Sequence, residues 1–292
     1  MNFALVDNPY LVPFDGSFRV SDAVTRPRET PSKKAYKKQL AGWVDRLADL
    51  QELLYATDKY AVLLVFQAMD AAGKDSTIRA VMSGVNPAGF QVSSFKVPSK
   101  GELDHDFLWR TTKALPQRGR IGVFNRSYYE ETLVVRVHPE YLGGQRLPEQ
   151  PASIWEDRFA SIRQHEAHLA RNGTVVVKFW LNVSRAEQMN RFMRRIERAD
   201  KNWKFAAGDL AESRRWDDYM VAYEAVLNAT SRPSAPWYAI PADDKPAMRL
   251  AVAHVVVETL SRLELEYPRL DPKTQANLEA YRAQIKETLA TL

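Results

Sequence analysis

Apolar positions along this chain follow two alternating rhythms. Between Lys33 and Thr57, the residues Tyr36, Leu40, Trp43, Val44, Leu47, Leu50 and Leu54 recur at three-to-four spacing with charges between them, which predicts an amphipathic helix. Residues 61–66 are instead a continuous apolar run that includes two β-branched Val, too short for an ordinary helix, and predict a buried strand. Further strands are expected at 91–95, 120–124, 174–181 and 237–240. Helices are expected between them, at 76–83, 104–115, 153–171, from 185 onward, at 209–229 and at 243–265, with a terminal helix inside 266–292. Ser153 with Glu156 and Ser184 with Glu187 have the spacing of capping boxes, while Gly84, Pro116 and Asn172-Gly173 read as stops. Residues 138–150 read as a loop, and 1–32, rich in Pro, Asp, Ser and Thr without periodicity, as an extended arm lying on the body.

Strands and helices that alternate in this way predict an α/β fold, a parallel sheet with helices on both faces. One domain with attachments is the simplest account: an arm and helix over 1–57, a core over 58–268 and a helical tail over 269–292.

The first strand breaks into small residues, Gln67-Ala68-Met69-Asp70-Ala71-Ala72-Gly73-Lys74, and a helix follows. In that geometry the amides of Ala71, Ala72, Gly73, Lys74 and Asp75 converge at a helix N-terminus, where free N–H groups and the macrodipole favour an anion. Lys74 adds a mobile positive charge and Ser76 a hydroxyl. The stretch departs from the phosphate-loop pattern G-x-x-x-x-G-K-[ST] twice: Ala68 stands in place of the first Gly, and Asp75 in place of the hydroxyl that reaches Mg²⁺. Asp70 beside bound phosphates needs a metal ion or a protonated partner to offset its charge, so it is a candidate metal or proton-handling group; the alternative is that Asp simply suits a turn.

Lys96 follows the second strand, at the sheet end where ligands bind, or is an ordinary exposed lysine. The third strand runs into Asn125-Arg126-Ser127-Tyr128-Tyr129-Glu130-Glu131. Asn125 stands where phosphate-loop enzymes place a metal-shell acid. Glu130 fits a capping box with Ser127, so Glu131 ranks above it as the functional acid. Arg126 can reach a phosphoryl oxygen with both arms of its guanidinium. His165 and His168 lie one helical turn apart with no third ligand in view and read as a surface pair.

Residues 185–204 hold seven Lys or Arg against three Asp or Glu. A solvated helix face is the ordinary explanation. Yet Arg191, Arg194, Arg195 and Arg198 share one face, Lys201, Trp203 and Lys204 continue the theme, and Arg214 and Arg215 follow. The preferred reading is a basic lid, about 185–215, that closes over phosphates and excludes water. Lys33, Lys34, Lys37 and Lys38 open the first helix as either a solvated turn or a polyanion contact.

Composition narrows the chemistry. The 292 residues, 45% apolar and 26% charged, suffice for a sizeable core and exclude disordered or collagen-like classes. No long apolar run or signal pattern is present, so a soluble, cytoplasmic protein that does not span a membrane is expected. Zero cysteines remove thiol chemistry and Cys-ligated zinc, and the five His show no ligand spacing, which leaves an oxygen-ligated ion such as Mg²⁺. The net charge of +5 suits an acidic partner without choosing among nucleic acid, membrane surface and polyanion.

Three stretches, MDAAGKDSTI, FNRSYYEE, and ADKNWKF-AAGDL-AESRRWDDY after the basic helix, occur in an order that resembles polyphosphate kinase family 2 over roughly residues 35–265. The resemblance implies a thymidylate-kinase-like phosphate-loop fold, three layers α/β/α, with a mobile helical lid. It implies reversible, Mg²⁺-dependent phosphoryl transfer between inorganic polyphosphate and AMP, ADP or ATP, with Mn²⁺ as the alternative to Mg²⁺, in a homo-oligomer with neither nucleic acid nor membrane as partner. Residue by residue, it makes Asp70, Lys74, Arg126 and Glu131 catalytic, with Asp70 and Glu131 on the metal. Ala71, Ala72, Gly73, Asp75, Ser76, Lys96, Arg194, Arg195, Lys204, Arg214 and Arg215 become phosphate contacts, and Asn125, Tyr129 and Glu130 nucleotide contacts. Asn125 followed by Tyr-Glu-Glu resembles the third subgroup, associated with both AMP and ADP, although Glu131 stands where that subgroup usually has Asp. Two other functions compete: an ATP-dependent kinase of a nucleoside monophosphate or small metabolite, which the missing hydroxyl after Lys74 opposes, and a non-enzymatic polyanion or nucleic-acid binder, which leaves Asp70 without a purpose.

Overall fold

The structure, a computed structural model, describes residues 5–27 and 32–292. In chain order, helix α1 (Lys33–Thr57) leads into strand β1 (Ala61–Gln67), helix α2 (Lys74–Val81) and strand β2 (Phe90–Ser94). Two short helices, α3 (Lys100–Leu103) and α4 (Trp109–Thr112), precede strand β3 (Ile121–Asn125) and the one-turn helix α5 (Val134–Val137). Helix α6 (Ile154–Arg171), strand β4 (Thr174–Asn182), helices α7 (Arg185–Glu197), α8 (Ala207–Ser213) and α9 (Trp216–Thr230), strand β5 (Trp237–Pro241), and helices α10 (Lys245–Ser261) and α11 (Pro272–Thr291) complete the chain.

All five strands are parallel, in the order β2-β3-β1-β4-β5. The central strand β1 is buried at every position and apolar from Ala61 to Phe66, as suits a strand covered on both faces. Helices α1, α2 and α10 pack together on one face, and α5, α6 and α9 on the other. The three-layer α/β/α expectation matches this architecture. Connections from β1 leave toward β2 and β3 on one side, while β4 lies on its other side, so the switch in strand order falls at the carboxyl end of β1. That is where an open α/β sheet binds ligands.

The part of residues 1–32 that is described behaves as an arm laid along β5. Val12 donates from its backbone to Trp237 (2.9 Å), and Ala239 donates to Tyr10 (2.8 Å), which covers an edge that would otherwise offer unpaired groups. Residues 1–4 and 28–31 of that expected arm lie outside the described residues.

Several elements differ from expectation for local reasons. Of the helix expected over 104–115 only the short α4 forms, with α3 lying ahead of that range, because the Asp106 carboxylate accepts from the Leu108 amide (2.9 Å) and fixes a turn between them. The segment expected to be one helix from 209 breaks at Arg214-Arg215 into α8 and α9. The loop at 138–150 contains 3₁₀ turns over Pro139–Gln145. Ser153 caps no amide and donates to Asp157 (2.8 Å) instead. His165 is half-buried against the Tyr128 ring, at 5.8 Å between centroids, so it is no surface pair with His168.

Candidate functional site

The loop that joins β1 to α2 passes through two left-handed residues, Ala71 (φ 63°) and Gly73 (φ 111°). Gly73 tolerates this conformation; Ala71 is held in it at a cost, as occurs where surrounding structure fixes a functional loop. Helix α2 starts at Lys74 with no side chain capping its first amides, which leaves those donors for a ligand. The Lys74 ammonium is buried and donates to the carbonyl of Ala68 (2.7 Å), with that of Met69 at 3.5 Å. Burial first, and Arg126 second, push its pKa down, while Asp70, Glu130 and Asp75 push it up. Ser76 donates its hydroxyl to the Gly73 carbonyl (3.0 Å).

Across the loop stands the end of β3. Arg126 is left-handed (φ 64°), and its amide bonds the Phe66 carbonyl (3.0 Å), which pins the end of β3 to that of β1. Its guanidinium donates to Asp70 at 2.6 Å and to Glu130 at 3.2 Å, and Gln67 donates to the other oxygen of Glu130 at 2.9 Å. Glu130 foremost holds Arg126 firmly protonated, with Asp70 adding to it. Asn125 donates to Asp75 at 2.6 Å, so the Asp that replaces the usual hydroxyl is tied to the Asn that replaces the usual acid. Asp70, Gly73, Lys74, Asp75, Ser76, Asn125, Arg126 and Glu130 are thus brought together.

Glu131 and Tyr129 are not. Glu131 is 3% exposed, receives Gln145 (2.6 Å) and Arg158 (3.4 Å), and has Arg110 at 4.0 Å; burial raises its pKa. Its carboxylate is engaged by these interior partners and bonds no residue of the loop, whereas Glu130, ranked below it from the sequence, is the one that bonds Arg126. The expected capping box is absent, since the Ser127 hydroxyl accepts from the Tyr129 amide while the Glu130 carboxylate goes to Arg126 and Gln67. On a tight 3₁₀ turn, Tyr128–Glu131, with three residues per turn, neighbouring side chains point in directions about 120° apart. Tyr129 is fully buried, donates to Glu166 (2.8 Å) and accepts from Lys178 (2.9 Å), so the expectation that it contacts a nucleotide is corrected.

That contact belongs to an interior network. Lys178, in the middle of β4, donates to Glu166 (2.6 Å), Tyr129 and the Thr230 carbonyl (2.9 Å), and Tyr128 also donates to Glu166 (2.8 Å). Burial brings the pKa of Lys178 down to about 8, against the pull of Glu166. A buried pair is tolerated only when the remaining donors are satisfied, and here all three positions of the ammonium are used. The network fixes the turn that presents Glu130.

The basic run divides. Arg191 is buried and bonds backbone carbonyls. Arg194 is exposed and pairs with Glu187 (2.6 Å). Arg195 bonds Asp209 (3.1 Å) and the Lys204 carbonyl (3.1 Å), holding the 3₁₀ turn Ala199–Lys204 against α7. The Lys204 ammonium is exposed, 4.8 Å from the Trp203 ring centre. Arg214 is exposed, and Arg215 donates to the Val137 carbonyl (2.9 Å). Lys96 is exposed beyond β2, with its carbonyl accepting from Arg110 (2.7 Å). In this conformation, none of Lys96, Lys204, Arg214 and Arg215 bonds the loop.

Three participants, Gln67, Gln188 and Asp209, escaped the reading of the sequence, and Arg191 was read as a lid residue rather than as one that holds the loop. Gln67, Gln188 and Arg191 bond the loop or Glu130, and Asp209 lies close enough to Asp70 that, after burial, Asp70 is what raises its pKa. The lysine in the middle of an otherwise apolar strand was a visible sign of an interior partner; Gln67 at a strand end carried no comparable sign.

A metal would find an oxygen set here. Asp70 spends one carboxylate oxygen on Arg126, and the other makes no hydrogen bond among the described residues. No three His, Asp or Glu side chains gather as a metal cage among the described residues. Mg²⁺ bound through one or two carboxylates plus substrate phosphates needs none. Asp70 fits that role; Glu131 is buried, with one oxygen accepting from both Gln145 and Arg158 and the other 4.0 Å from Arg110, and it bonds no residue of the loop.

A profile of the polyphosphate kinase 2 (PPK2) family matches residues 30–268, most of the chain. The chain belongs to the polyphosphate kinase 2 family. Among relatives of this PPK2 chain, an ADP-polyphosphate phosphotransferase of Rhodopseudomonas palustris is 55% identical over 257 residues, 87% of this chain and 89% of the relative. An AMP/ADP-polyphosphate phosphotransferase of Meiothermus ruber is 46% identical over 237 residues, 81% of this chain and 85% of the relative. The crystal structure of a polyphosphate kinase 2 from Arthrobacter aurescens superposes with a TM-score of 0.83 at 37% identity, covering 91% of this chain and 93% of that one. The family members are phosphotransferases that generally need a divalent metal. Among the described residues, no helix is long and apolar enough to cross a membrane.

Proposed function

We propose that this PPK2 chain transfers a phosphoryl group between inorganic polyphosphate and AMP or ADP, reversibly and with Mg²⁺, Mn²⁺ being the second candidate. One observation carries the reading: free amides and a buried lysine at the carboxyl end of the central strand face a guanidinium held between two carboxylates. The names of the relatives support both acceptors, one naming ADP and the other AMP and ADP.

In the forward direction an oxygen of the nucleotide's terminal phosphate attacks the terminal phosphorus of polyphosphate. The bond from that phosphorus to its bridging oxygen breaks, and the oxygen leaves with the shortened chain. Such transfer requires alignment and charge neutralisation more than covalent help. The amides of Ala71 and of Gly73 to Ser76 hold the donor, and Lys74, released from the Ala68 carbonyl by a stronger anionic partner, neutralises it. Arg126 meets the phosphoryl oxygens while Asp70 and Glu130 keep it in place. A divalent ion at Asp70 would supply Lewis-acid charge to those oxygens. Asn125 and Glu130 stand on the acceptor side. The lid lies within residues 185–215, with Arg194, Arg195, Lys204, Arg214 and Arg215 brought to the phosphates on closure and Lys96 near the chain's exit. This reading takes the enzyme as a cytoplasmic homo-oligomer with neither nucleic acid nor membrane as partner.

The test is a donor comparison. Polyphosphate or ATP is supplied at equal phosphate concentration with AMP or with ADP and Mg²⁺, and the nucleotides are resolved by chromatography. Phosphorylation of AMP or ADP from polyphosphate is expected. Transfer from ATP to AMP with none from polyphosphate would establish the ATP-dependent kinase instead.

A further inference from the structure

Helix α7 lies against the outer side of the phosphate loop and takes hold of its carbonyls. Gln188 donates to the Asp70 carbonyl at 2.9 Å. One terminal nitrogen of Arg191 donates to the carbonyls of Ala71 (3.0 Å) and Ala72 (2.5 Å). The other donates to Ala242 (2.6 Å) and Asp243 (3.2 Å), and Nε donates to Glu187 (2.8 Å). Both side chains are interior, Gln188 being 1% and Arg191 4% exposed. Three consecutive carbonyls, of Asp70, Ala71 and Ala72, therefore point at one helix.

A planar trans peptide aims its C=O and the following N–H in opposite directions. With those three carbonyls turned toward α7, the amides of Ala71, Ala72 and Gly73 are turned away from it. The Ala72 amide is taken by the Met69 carbonyl (3.3 Å). Those of Ala71 and Gly73 donate to no group among the described residues, and they join the uncapped amides at the start of α2. The left-handed conformation of Ala71 is the local cost of this arrangement. A guanidinium that spends its hydrogen bonds on backbone is not positioned to touch phosphate, yet its charge stays beneath the loop: a Cβ built on Gly73 would lie 3.7 Å from Arg191 Nη1.

We propose that Gln188 and Arg191 are positioning residues that orient the phosphate loop, holding its carbonyls back so that the Ala71 and Gly73 amides face the donor phosphate. This rests on the phosphate-loop reading above. It has a consequence for the lid: the first two turns of α7 belong to the fixed site, because Arg191 also ties them to the connection between β5 and α10, and closure begins beyond Arg191.

The test uses Gln188→Leu, which removes the donor and keeps the volume, and Arg191→Lys, which keeps the charge but cannot reach four carbonyls. Steady-state kinetics are measured separately for polyphosphate and for the nucleotide, beside a thermal melt, with Lys74→Ala run in parallel. For each variant the KM for polyphosphate should rise at least about tenfold, equivalent to about 1.4 kcal/mol, while the KM for the nucleotide stays within about twofold. If Arg191→Lys fails to fold, Gln188→Leu decides. The proposal is overturned if the polyphosphate KM is unchanged, or if both KM values rise together in step with a falling melting temperature. Should Lys74→Ala itself leave polyphosphate turnover intact, the phosphate-loop reading has failed; should it abolish turnover while Gln188→Leu and Arg191→Lys behave as wild type, only the positioning role has.

Discussion

Arg126 offers the sharpest perturbation of the site, because its guanidinium is shared by two carboxylates beside the loop, at 2.6 Å from Asp70 and 3.2 Å from Glu130. Arg126→Ala removes one positive charge and leaves both acids facing the donor. With Lys74 and Arg126 against Asp70, Glu130 and Asp75, the local balance falls from −1 to −2. A unit charge about 5 Å from a phosphoryl oxygen, at an effective dielectric of about 20, is worth roughly 3 kcal/mol. That corresponds to a loss of about two orders of magnitude in kcat/KM. The Arg126 side chain is 37% exposed, so its pairs add little to folding, and the melting temperature should move by no more than a few degrees. Arg126→Lys keeps the charge but cannot span both acids, and about a tenfold loss is expected. Combined with Asp70→Asn, Arg126→Ala should be non-additive by at least about 1 kcal/mol, since the two side chains are in contact. Kinetics on polyphosphate with AMP and with ADP, beside a melt of each variant, provide the check. A kcat/KM within about threefold of wild type for Arg126→Ala, or activity that falls only as far as the protein unfolds, would refute the reasoning.

Three further outcomes follow from the geometry. Glu166→Gln strands the buried Lys178 ammonium and should destabilise the fold by about 3–5 kcal/mol in denaturant titrations, whereas the pair Glu166→Leu with Lys178→Met should recover most of that loss. Glu130→Gln should reduce turnover with little change in melting temperature, and Glu131→Gln, which disturbs the Arg158 and Gln145 contacts, should lower the melting temperature; equal effects of both on turnover alone would restore Glu131 to the site. Burial first, and then Arg191, Arg194 and Arg249, bring the pKa of Lys245 down to about 8, with Glu187 opposing. The unfolded value is near 10.4, so between these values the unfolded chain binds more protons, and this group's contribution to stability rises with pH there. Lys245→Met should therefore melt higher than wild type at pH 7, an advantage that fades by about pH 10; an advantage independent of pH would rule out the charge as its cause.

Local pattern was enough for much of the architecture. The stripe from Tyr36 to Leu54 set α1 at its observed bounds, and the apolar runs located all five strands to within a residue or so. The small residues before Lys74 marked the loop, since few other reasons put such a run between a buried strand and a helix. What failed required knowledge of neighbours. Glu130 and Glu131 are adjacent in sequence, and only the 3₁₀ turn decides which faces Arg126. The three-to-four spacing of Arg191, Arg194 and Arg195 was legible, but whether a guanidinium meets solvent or the Ala72 carbonyl depends on where α7 lands. Tyr129 read as a site residue because it lies between Arg126 and Glu130, yet Lys178, 49 positions away, draws it inward.

The central claim is that the loop around Lys74 holds the polyphosphate donor, and kcat/KM for polyphosphate in Lys74→Ala tests it most directly. Removing a buried ammonium that otherwise rests on the Ala68 carbonyl should leave the fold standing and cut kcat/KM at least about a hundredfold, roughly 2.7 kcal/mol of transition-state stabilisation. A folded Lys74→Ala protein that phosphorylates AMP or ADP from polyphosphate at near the wild-type rate would contradict it.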